Sequence, residues 1–177
     1  MQPVSLLDFT IKDIMGQDVP LATFRGRVLL LVNVASKCGL TPQYKGLQEL
    51  YDRYREKGLE ILAFPANNFL RQEPGTDAEI RQFCSTTYSV TFRLFSRISV
   101  KGKDIHPLYQ FLTRPETNPG FHGKIGWNFA KFLADRTGRV IGRFEPKVQP
   151  TSPQVISAVE KALASRTEKA PALRGPG

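Results

Sequence analysis

The sequence predicts an α/β fold, in which helices pack on the faces of a central β-sheet. Two segments, 28–34 and 59–64, are apolar almost throughout, as expected of strands that are buried on both faces. A stretch with helical spacing of apolar residues follows each of these segments. The chain has 177 residues, of which 41% are hydrophobic. This length suits one globular domain, which we assign to residues 1–164.

The N-terminal half begins with two short segments of strand character. Residues 9–12 and 19–21 flank a turn and predict an N-terminal β-hairpin. The first core strand then leads to a helix that begins at Thr41-Pro42, where threonine serves as the N-cap and proline suits the first helical position. We expect this helix to end at Gly58, because glycine readily adopts the conformation that terminates helices.

The C-terminal half continues the alternation of strands and helices. After the second core strand, Thr76 and Glu79 have the spacing of a capping box and predict the start of a second helix. Further elements are a short helix near His106-Pro107, adjacent strands over 129–134 and 140–144, and a final helix capped by Ser152-Pro153. The order is β-α-β-α followed by a hairpin and a helix. It predicts a thioredoxin-like fold with a mixed central sheet.

Charge and composition narrow the functional class. The chain carries 25 basic and 16 acidic residues, a net charge of +9, so it favours anions. It has no helix-turn-helix, zinc pattern or basic-aromatic stripe, and we therefore expect no nucleic-acid partner. Its two histidines, His106 and His122, share no ligand spacing with each other or with a cysteine, so we expect no bound metal.

The sequence also carries signals about location. No apolar run approaches the ~20 residues of a membrane span, so we expect no stable membrane insertion. The first ten residues lack the basic patch and apolar core of a secretory signal. Two cysteines in the whole chain suit a reducing compartment, and we predict a cytoplasmic location. Residues 165–177 mix Arg, Lys, Pro, Ala and Gly without periodicity, which predicts a disordered basic tail.

Cys38 is the first candidate for chemistry. It follows a core strand by four residues and precedes the start of a helix at Thr41 by three. Ligand sites in open α/β sheets lie at such strand ends, and a helix N-terminus favours thiolate over thiol. A buried structural cysteine is the alternative, but position and flanking residues favour a reactive one. A dithiol motif would need a second cysteine three residues on, where Thr41 stands, so the chemistry uses one cysteine or recruits Cys84.

Four motifs, taken together, are highly specific. They are Asn33-Val34-Ala35-Ser36-Lys37-Cys38-Gly39-Leu40-Thr41, Phe64-Pro65-Ala66-Asn67-Asn68-Phe69, Gln72-Glu73-Pro74-Gly75 and Trp127-Asn128-Phe129. In this order they closely resemble motifs of the glutathione peroxidase family, in its bacterial-type, cysteine-containing form. The resemblance covers the chain from about Leu6 to Leu163. It implies a thioredoxin-like fold, reduction of hydroperoxides by a thiol, and an antioxidant role in the response to oxidative stress.

The resemblance implies a catalytic tetrad of Cys38, Gln72, Trp127 and Asn128. Gln72 and Asn128 carry amide N–H donors, and the indole N–H of Trp127 can only donate. Three neutral donors that converge on Cys38 would stabilise a thiolate and then bind the peroxide oxygens. The family resemblance implies no bound cofactor; the partners are a hydroperoxide substrate and a thiol co-substrate, either thioredoxin or glutathione.

Two routes for regenerating the oxidised cysteine remain open. In one, Cys84 condenses with the sulfenic acid of Cys38 and thioredoxin reduces the disulfide, as in thioredoxin-dependent family members. However, Cys84 lies on an apolar stripe with Ile80 and Phe83, which is typical of a core residue, and the family's cysteine stands one residue later, at Ser85. In the other route, glutathione attacks the sulfenic acid directly.

Departures from the family pattern leave the tetrad complete. Ala66 stands where the family usually has cysteine, and Arg93 stands where it often has proline, which alters either the local backbone or the charge near the site. The segment 112–127 is shorter than the assembly loop of tetrameric relatives, which favours a monomer.

A second hypothesis is a thioredoxin-like redox-sensing or binding module without peroxidase activity. Such a module needs only the cysteine, and the complete tetrad therefore favours the enzyme.

Overall fold

A computed structural model describes residues 5–165 of the chain. Its strands are β1 (Thr10–Lys12), β2 (Asp18–Pro20), β3 (Val28–Val34), β4 (Leu59–Pro65), β5 (Arg93–Leu94), β6 (Lys131–Ala134) and β7 (Val140–Phe144). Its α-helices are α1 (Gln43–Tyr54), α2 (Asp77–Tyr88), α3 (Pro107–Thr113) and α4 (Pro153–Ala164). The tail predicted over 165–177 lies outside the described residues apart from Ser165 and stays a prediction. No helix within residues 5–165 is long and apolar enough to cross a membrane.

The central sheet contains five strands in the order β5-β4-β3-β6-β7. Strand β3 runs parallel to β4, and β4 runs parallel to β5. Strand β6 runs antiparallel to both β3 and β7. Strands β1 and β2 pair antiparallel as a separate hairpin. The predicted α/β class, with a mixed central sheet and an N-terminal hairpin, is therefore confirmed.

Strand β3 is buried along its whole length, as its apolar sequence predicts. Because side chains alternate between the faces of a strand, Leu29 and Leu31 join one apolar cluster and Leu30 and Val32 join the other. Helix α3 supplies the first cluster, whereas α1, α2 and α4 supply the second. The carboxyl end of this central strand leads into the loop that carries Cys38.

Helix α1 begins later than its sequence predicts. Its N-cap is Pro42, which has helical backbone angles and provides no side-chain hydrogen bond to the helix. The Thr41 hydroxyl instead accepts a hydrogen bond from the Cys38 N–H at 2.9 Å and donates one to the Ala35 carbonyl at 2.8 Å. The helix continues into a short 3-10 turn that ends, as predicted, at Gly58 with φ of +116°. Thr41 therefore orders the cysteine loop rather than the helix.

The remaining elements follow the sequence with two differences. The capping box of Thr76 and Glu79 is present at the start of α2, as predicted. Ser152 precedes α4 without a capping hydrogen bond from its side chain. Strand β5 was not expected from the sequence, because two residues are too few to show an alternating pattern. These differences leave the arrangement around Cys38 intact.

Candidate active site

Cys38 lies in the loop between β3 and α1. The residue is 8% exposed, so its thiol is close to the surface but mostly enclosed. Its N–H donates to the Thr41 hydroxyl, and its carbonyl accepts from the Thr41 N–H at 3.0 Å. This tight turn fixes the cysteine backbone just beyond the carboxyl end of the central strand.

Two N–H groups donate to the Cys38 sulfur. The backbone N–H of Leu40 and the indole N–H of Trp127 each lie 3.3 Å from Sγ. Neither group titrates near neutral pH, so both donate whatever the pH. Donors aimed at a sulfur favour its anionic form, because hydrogen bonds to the charged state stabilise it. The Leu40 donor was missed at the sequence level, since every residue except proline carries a backbone N–H.

Gln72 and Asn128 meet each other beside the cysteine. The Asn128 side-chain amide donates to Gln72 Oε1 at 2.9 Å, and Asn128 is completely buried. Gln72 is tied to the cysteine loop by its carbonyl, which accepts from the Lys37 N–H at 2.9 Å. Of the three predicted donors, Trp127 alone donates to Sγ among the described residues. Asn128 instead fixes the orientation of the Gln72 amide and leaves the Gln72 N–H₂ group free to donate.

The loop before β6 places Trp127 and Asn128 over the end of β3. The side chain of Asn33, in β3, donates to the Trp127 carbonyl at 3.0 Å, and the backbone carbonyl of Asn33 accepts from the Phe129 N–H at 2.6 Å. Phe129 has φ of +70°, which is rare for a bulky residue and turns the chain sharply after Trp127 and Asn128. The indole ring packs against Phe69, with ring centroids 5.5 Å apart. Asn33 thus couples Trp127 and Phe129, the residues on either side of Asn128, to the strand that precedes Cys38.

Cys84 has surroundings unlike those of Cys38. It is a free, fully buried thiol in the apolar cluster formed with Tyr44 and Ile80. Burial raises the pKa of the Cys84 thiol to about 11, with the Tyr44 hydroxyl opposing this shift and the Glu73 carboxylate adding to it. The packed-core interpretation therefore describes Cys84 in this conformation. Both thiols are free in this structure, and a disulfide between them would need Cα atoms within about 7 Å and facing side chains.

Two buried ionisable residues near the site were not singled out from the sequence. Glu73 is 1% exposed, and burial raises the pKa of its carboxyl to about 7. Lys131 is fully buried in β6, and burial lowers the pKa of its ammonium to about 7. The Lys131 amine donates to the Pro146 carbonyl at 3.0 Å, which also accepts from the Gln43 side chain at 2.7 Å. Lys131 therefore helps to hold the first turn of α1, just after the cysteine loop.

The two departures from the family pattern lie in different places. Ala66 is fully buried and extends the β3–β4 pairing, since its N–H donates to the Val34 carbonyl at 3.1 Å. Arg93 lies in the edge strand β5, where its guanidinium is 4.0 Å from Asp13 and 5.7 Å from the centre of the Phe24 ring. Arg93 thus contacts the N-terminal part of the chain. Within residues 5–165, no group of three or more His, Cys, Asp or Glu side chains has the spacing of a metal site.

Comparison with known proteins gives a consistent result. The sequence profile named glutathione peroxidase matches residues 6–113. A Bacillus subtilis (strain 168) protein, glutathione peroxidase homolog BsaA, is 50% identical over 149 residues, which cover 83% of this chain and 92% of that protein. An Escherichia coli (strain K12) protein, thioredoxin/glutathione peroxidase BtuE, is 45% identical over 180 residues, covering 90% of this chain and 98% of that protein.

Solved structures agree with the sequence comparison. The crystal structure of Trgpx in its apo form matches with a TM-score of 0.72 and 33% identity, covering 91% of this chain and 96% of that chain. A thioredoxin family protein of Chlorobium tepidum TLS, 14% identical, shares the fold with a TM-score of 0.62, covering 92% of this chain and 98% of that chain. The predicted thioredoxin-like fold is confirmed, and the chain belongs to the glutathione peroxidase family.

Proposed function

We propose that this chain is a thiol peroxidase in which Cys38 reduces hydrogen peroxide and organic hydroperoxides. The observation that carries the proposal is the pair of N–H donors, from Leu40 and Trp127, at 3.3 Å from the Cys38 sulfur. A redox-sensing module would need only an accessible thiol. Here the sulfur lies among oriented donors next to the Gln72–Asn128 pair, an arrangement suited to stabilising charge that develops during a reaction.

The first step consumes the peroxide. The Cys38 thiolate attacks the hydroxyl oxygen of ROOH, an S–O bond forms, and the O–O bond breaks with its electron pair leaving on RO⁻. The proton released by the Cys38 thiol neutralises this alkoxide, so the products are the Cys38 sulfenic acid and ROH. The Trp127 and Leu40 N–H groups stabilise the thiolate beforehand. The Gln72 amide, oriented by Asn128, donates to a peroxide oxygen as negative charge moves onto it.

A thiol from outside the chain restores the cysteine. The first thiol attacks the sulfur of the sulfenic acid and forms a mixed disulfide with loss of water, and a second thiol releases Cys38 by thiol–disulfide exchange. Burial of Cys84 and its raised pKa, about 11, favour this external route over an internal disulfide. Both glutathione and a thioredoxin dithiol can carry out these two thiol attacks, and the E. coli relative is named for both.

We extend the proposal to the cellular setting. Both cysteines are free, which suits a reducing compartment, so we place the protein in the cytoplasm as an antioxidant enzyme that responds to oxidative stress.

The peroxidase activity is tested by peroxide consumption at steady state, with glutathione and with thioredoxin plus its reductase in separate reactions. Turnover with at least one reductant is expected. Absence of turnover with both would overturn the proposed function.

Intact mass separates the two regeneration routes. We expect one equivalent of peroxide to leave a sulfenic acid, trapped by a dimedone adduct, in the wild type and in Cys84→Ser alike. A loss of about two mass units in the wild type, absent in Cys84→Ser, would instead identify an internal disulfide and assign the resolving role to Cys84.

A further inference from the structure

Glu73 is a buried carboxylate with no assigned role. It follows Gln72 directly and is 1% exposed. Burial raises the pKa of its carboxyl to about 7, against the opposing effects of Ser36, Arg97 and Lys37. A buried carboxylate is costly for a protein to keep unless it makes specific interactions. Its contacts show what those interactions hold together.

The Glu73 side chain joins the loop of Gln72 to the loop of Cys38. Its Oε1 accepts from the Ser36 N–H at 3.1 Å, two residues before Cys38. The neighbouring link, from the Lys37 N–H to the Gln72 carbonyl, runs beside it at 2.9 Å. Two adjacent hydrogen bonds between two loops fix both their separation and their register.

Glu73 is itself held in place from its own side. Its N–H donates to the Asn67 side chain at 2.9 Å, and its carbonyl accepts from Arg97 Nη1 at 3.0 Å. The intervening residues Leu70 and Arg71 have φ of +52° and +53°, a left-handed conformation that is unfavourable for both residue types. This strained turn is the part of the loop that returns the chain to the site, and the hydrogen bonds of Glu73 hold it there.

The cysteine segment has few other supports on this side. Residues 35–38 lie between β3 and α1, outside regular secondary structure. The Cys38 N–H is bonded within its own loop, to Thr41, and so does not fix the loop relative to Gln72. Ser36 and Lys37 supply the two backbone donors that do. The Glu73 side chain accepts from the Ser36 N–H, and the Gln72 carbonyl accepts from the Lys37 N–H.

From this juxtaposition we propose that Glu73 is a positioning residue, whose carboxylate sets the placement of Cys38 relative to the Gln72 amide by accepting the Ser36 N–H. The inference rests on the proposed function, because it takes Cys38 and Gln72 as the reacting pair. Among the described residues, the N–H groups that bond the Cys38 sulfur belong to Leu40 and Trp127, so Glu73 is not assigned a direct role at the sulfur. It acts through the backbone of the loop that carries the thiol.

The test compares Glu73→Leu with Glu73→Gln. Leucine fills a similar volume without an acceptor, whereas the glutamine carbonyl oxygen still accepts from Ser36. We expect Glu73→Leu to lower the second-order rate constant of Cys38 oxidation by hydrogen peroxide about 10- to 100-fold, since displacement by about 1 Å can cost that much. Glu73→Gln should retain a rate within about threefold of the wild type, because it keeps the hydrogen bond.

A second readout distinguishes misplacement from general damage. Alkylation of Cys38 by iodoacetamide needs the thiolate but no Gln72 donor, so we expect Glu73→Leu to slow alkylation much less than peroxide reduction. Asn67→Ala, which removes one of the two supports of the Glu73 backbone, should lower both the peroxide and the alkylation rates by a smaller factor. It also serves as the alternative variant should Glu73→Leu not fold, as judged by its circular dichroism and Tm.

Two results would overturn the positioning role. One is a folded Glu73→Leu that reduces peroxide at the wild-type rate, and the other is a Glu73→Gln as slow as Glu73→Leu. Failure of the proposed function is separate and visible in the wild type itself, which would then consume no peroxide with either reductant and form neither a sulfenic acid nor a disulfide at Cys38.

Discussion

Cys38 and Cys84 line the same apolar cluster but have opposite chemical surroundings. Both residues are buried, at 8% and 0% exposed. The Cys38 sulfur accepts two N–H hydrogen bonds. At Cys84, the Glu73 carboxylate adds to the effect of burial and raises the pKa of the thiol further. The Tyr44 hydroxyl also interacts with the Cys84 thiol and opposes this rise in pKa, so the two sites differ in the complete burial and the neighbouring carboxylate at Cys84 as well as in the two N–H donors at Cys38.

The largest expected effect comes from removing the sulfur of Cys38. Cys38→Ser should lower peroxide reduction on the order of 10³-fold or more, because a hydroxyl is a far weaker nucleophile and the remaining groups have nothing to activate. The measurement is peroxide consumption at steady state with a thiol reductant. Substantial turnover in this variant would move the reactive centre elsewhere, and Cys84→Ser under the same assay is the matched control.

Removing one donor should give an intermediate effect. Trp127→Phe keeps an aromatic ring against Phe69 but removes the indole N–H at 3.3 Å from Cys38 Sγ. We expect the rate constant of Cys38 oxidation to fall about 100-fold, the lower end of the range for loss of one preorganised donor. Stopped-flow measurement of Trp127→Phe, with its Tm as a check on folding, tests this. An unchanged rate would show that the Leu40 N–H alone suffices.

The Glu73 carboxyl should make the free energy of unfolding depend on pH. Its folded-state pKa of about 7 exceeds the ordinary value of 4.5, so the folded chain binds more protons between these values. The free energy of unfolding therefore falls as pH rises from about 4.5 to 7, by about 3 kcal/mol for this group, and stays lower above pH 7.

The variant Glu73→Gln isolates that contribution. Denaturant unfolding at pH 5 and pH 8 should show that Glu73→Gln becomes more stable relative to the wild type as pH rises. A difference between variant and wild type that is the same at both pH values would contradict the buried titration of Glu73.

The smallest effect on catalysis is expected at Cys84. Cys84→Ala should leave the rate of the first oxidation unchanged while lowering stability by about 1–2 kcal/mol, because a packed sulfur is replaced by a small void. Chemical denaturation and single-turnover oxidation measure the two effects. A slowed first oxidation with unchanged stability would show that Cys84 takes part in catalysis and is not a packing residue.

Much of the fold was predictable from local pattern. Strands β3 and β4 are apolar in nearly every position, which only a strand covered on both faces requires, and Gly58 marks a helix end through its backbone freedom. The capping box at Thr76 uses residues three apart and is also local. Strand β5 is different. Its two residues pair with β4 because the fold brings this segment alongside β4, and two residues are too few to show the alternating pattern of a strand.

The sequence proposes the members of the candidate site but not the contacts between them. Cys38, Gln72, Trp127 and Asn128 follow from their motifs, yet their sequence did not reveal that Asn128 donates to Gln72 rather than to the sulfur. Thr41 shows the same limit. A threonine before proline suits a helix cap, and here the loop geometry uses its hydroxyl to hold the Cys38 backbone.

The sequence by itself determined the element order, the buried central strands and the residue types available for thiol chemistry, because these depend on composition and on spacing along the chain. The tertiary structure decided which N–H groups face the sulfur, how deeply Cys84 is packed and where Glu73 attaches. Those properties depend on distances between segments far apart in sequence, such as the 3.3 Å between Trp127 and Cys38. Such a distance exists only once the sheet has brought the segments together.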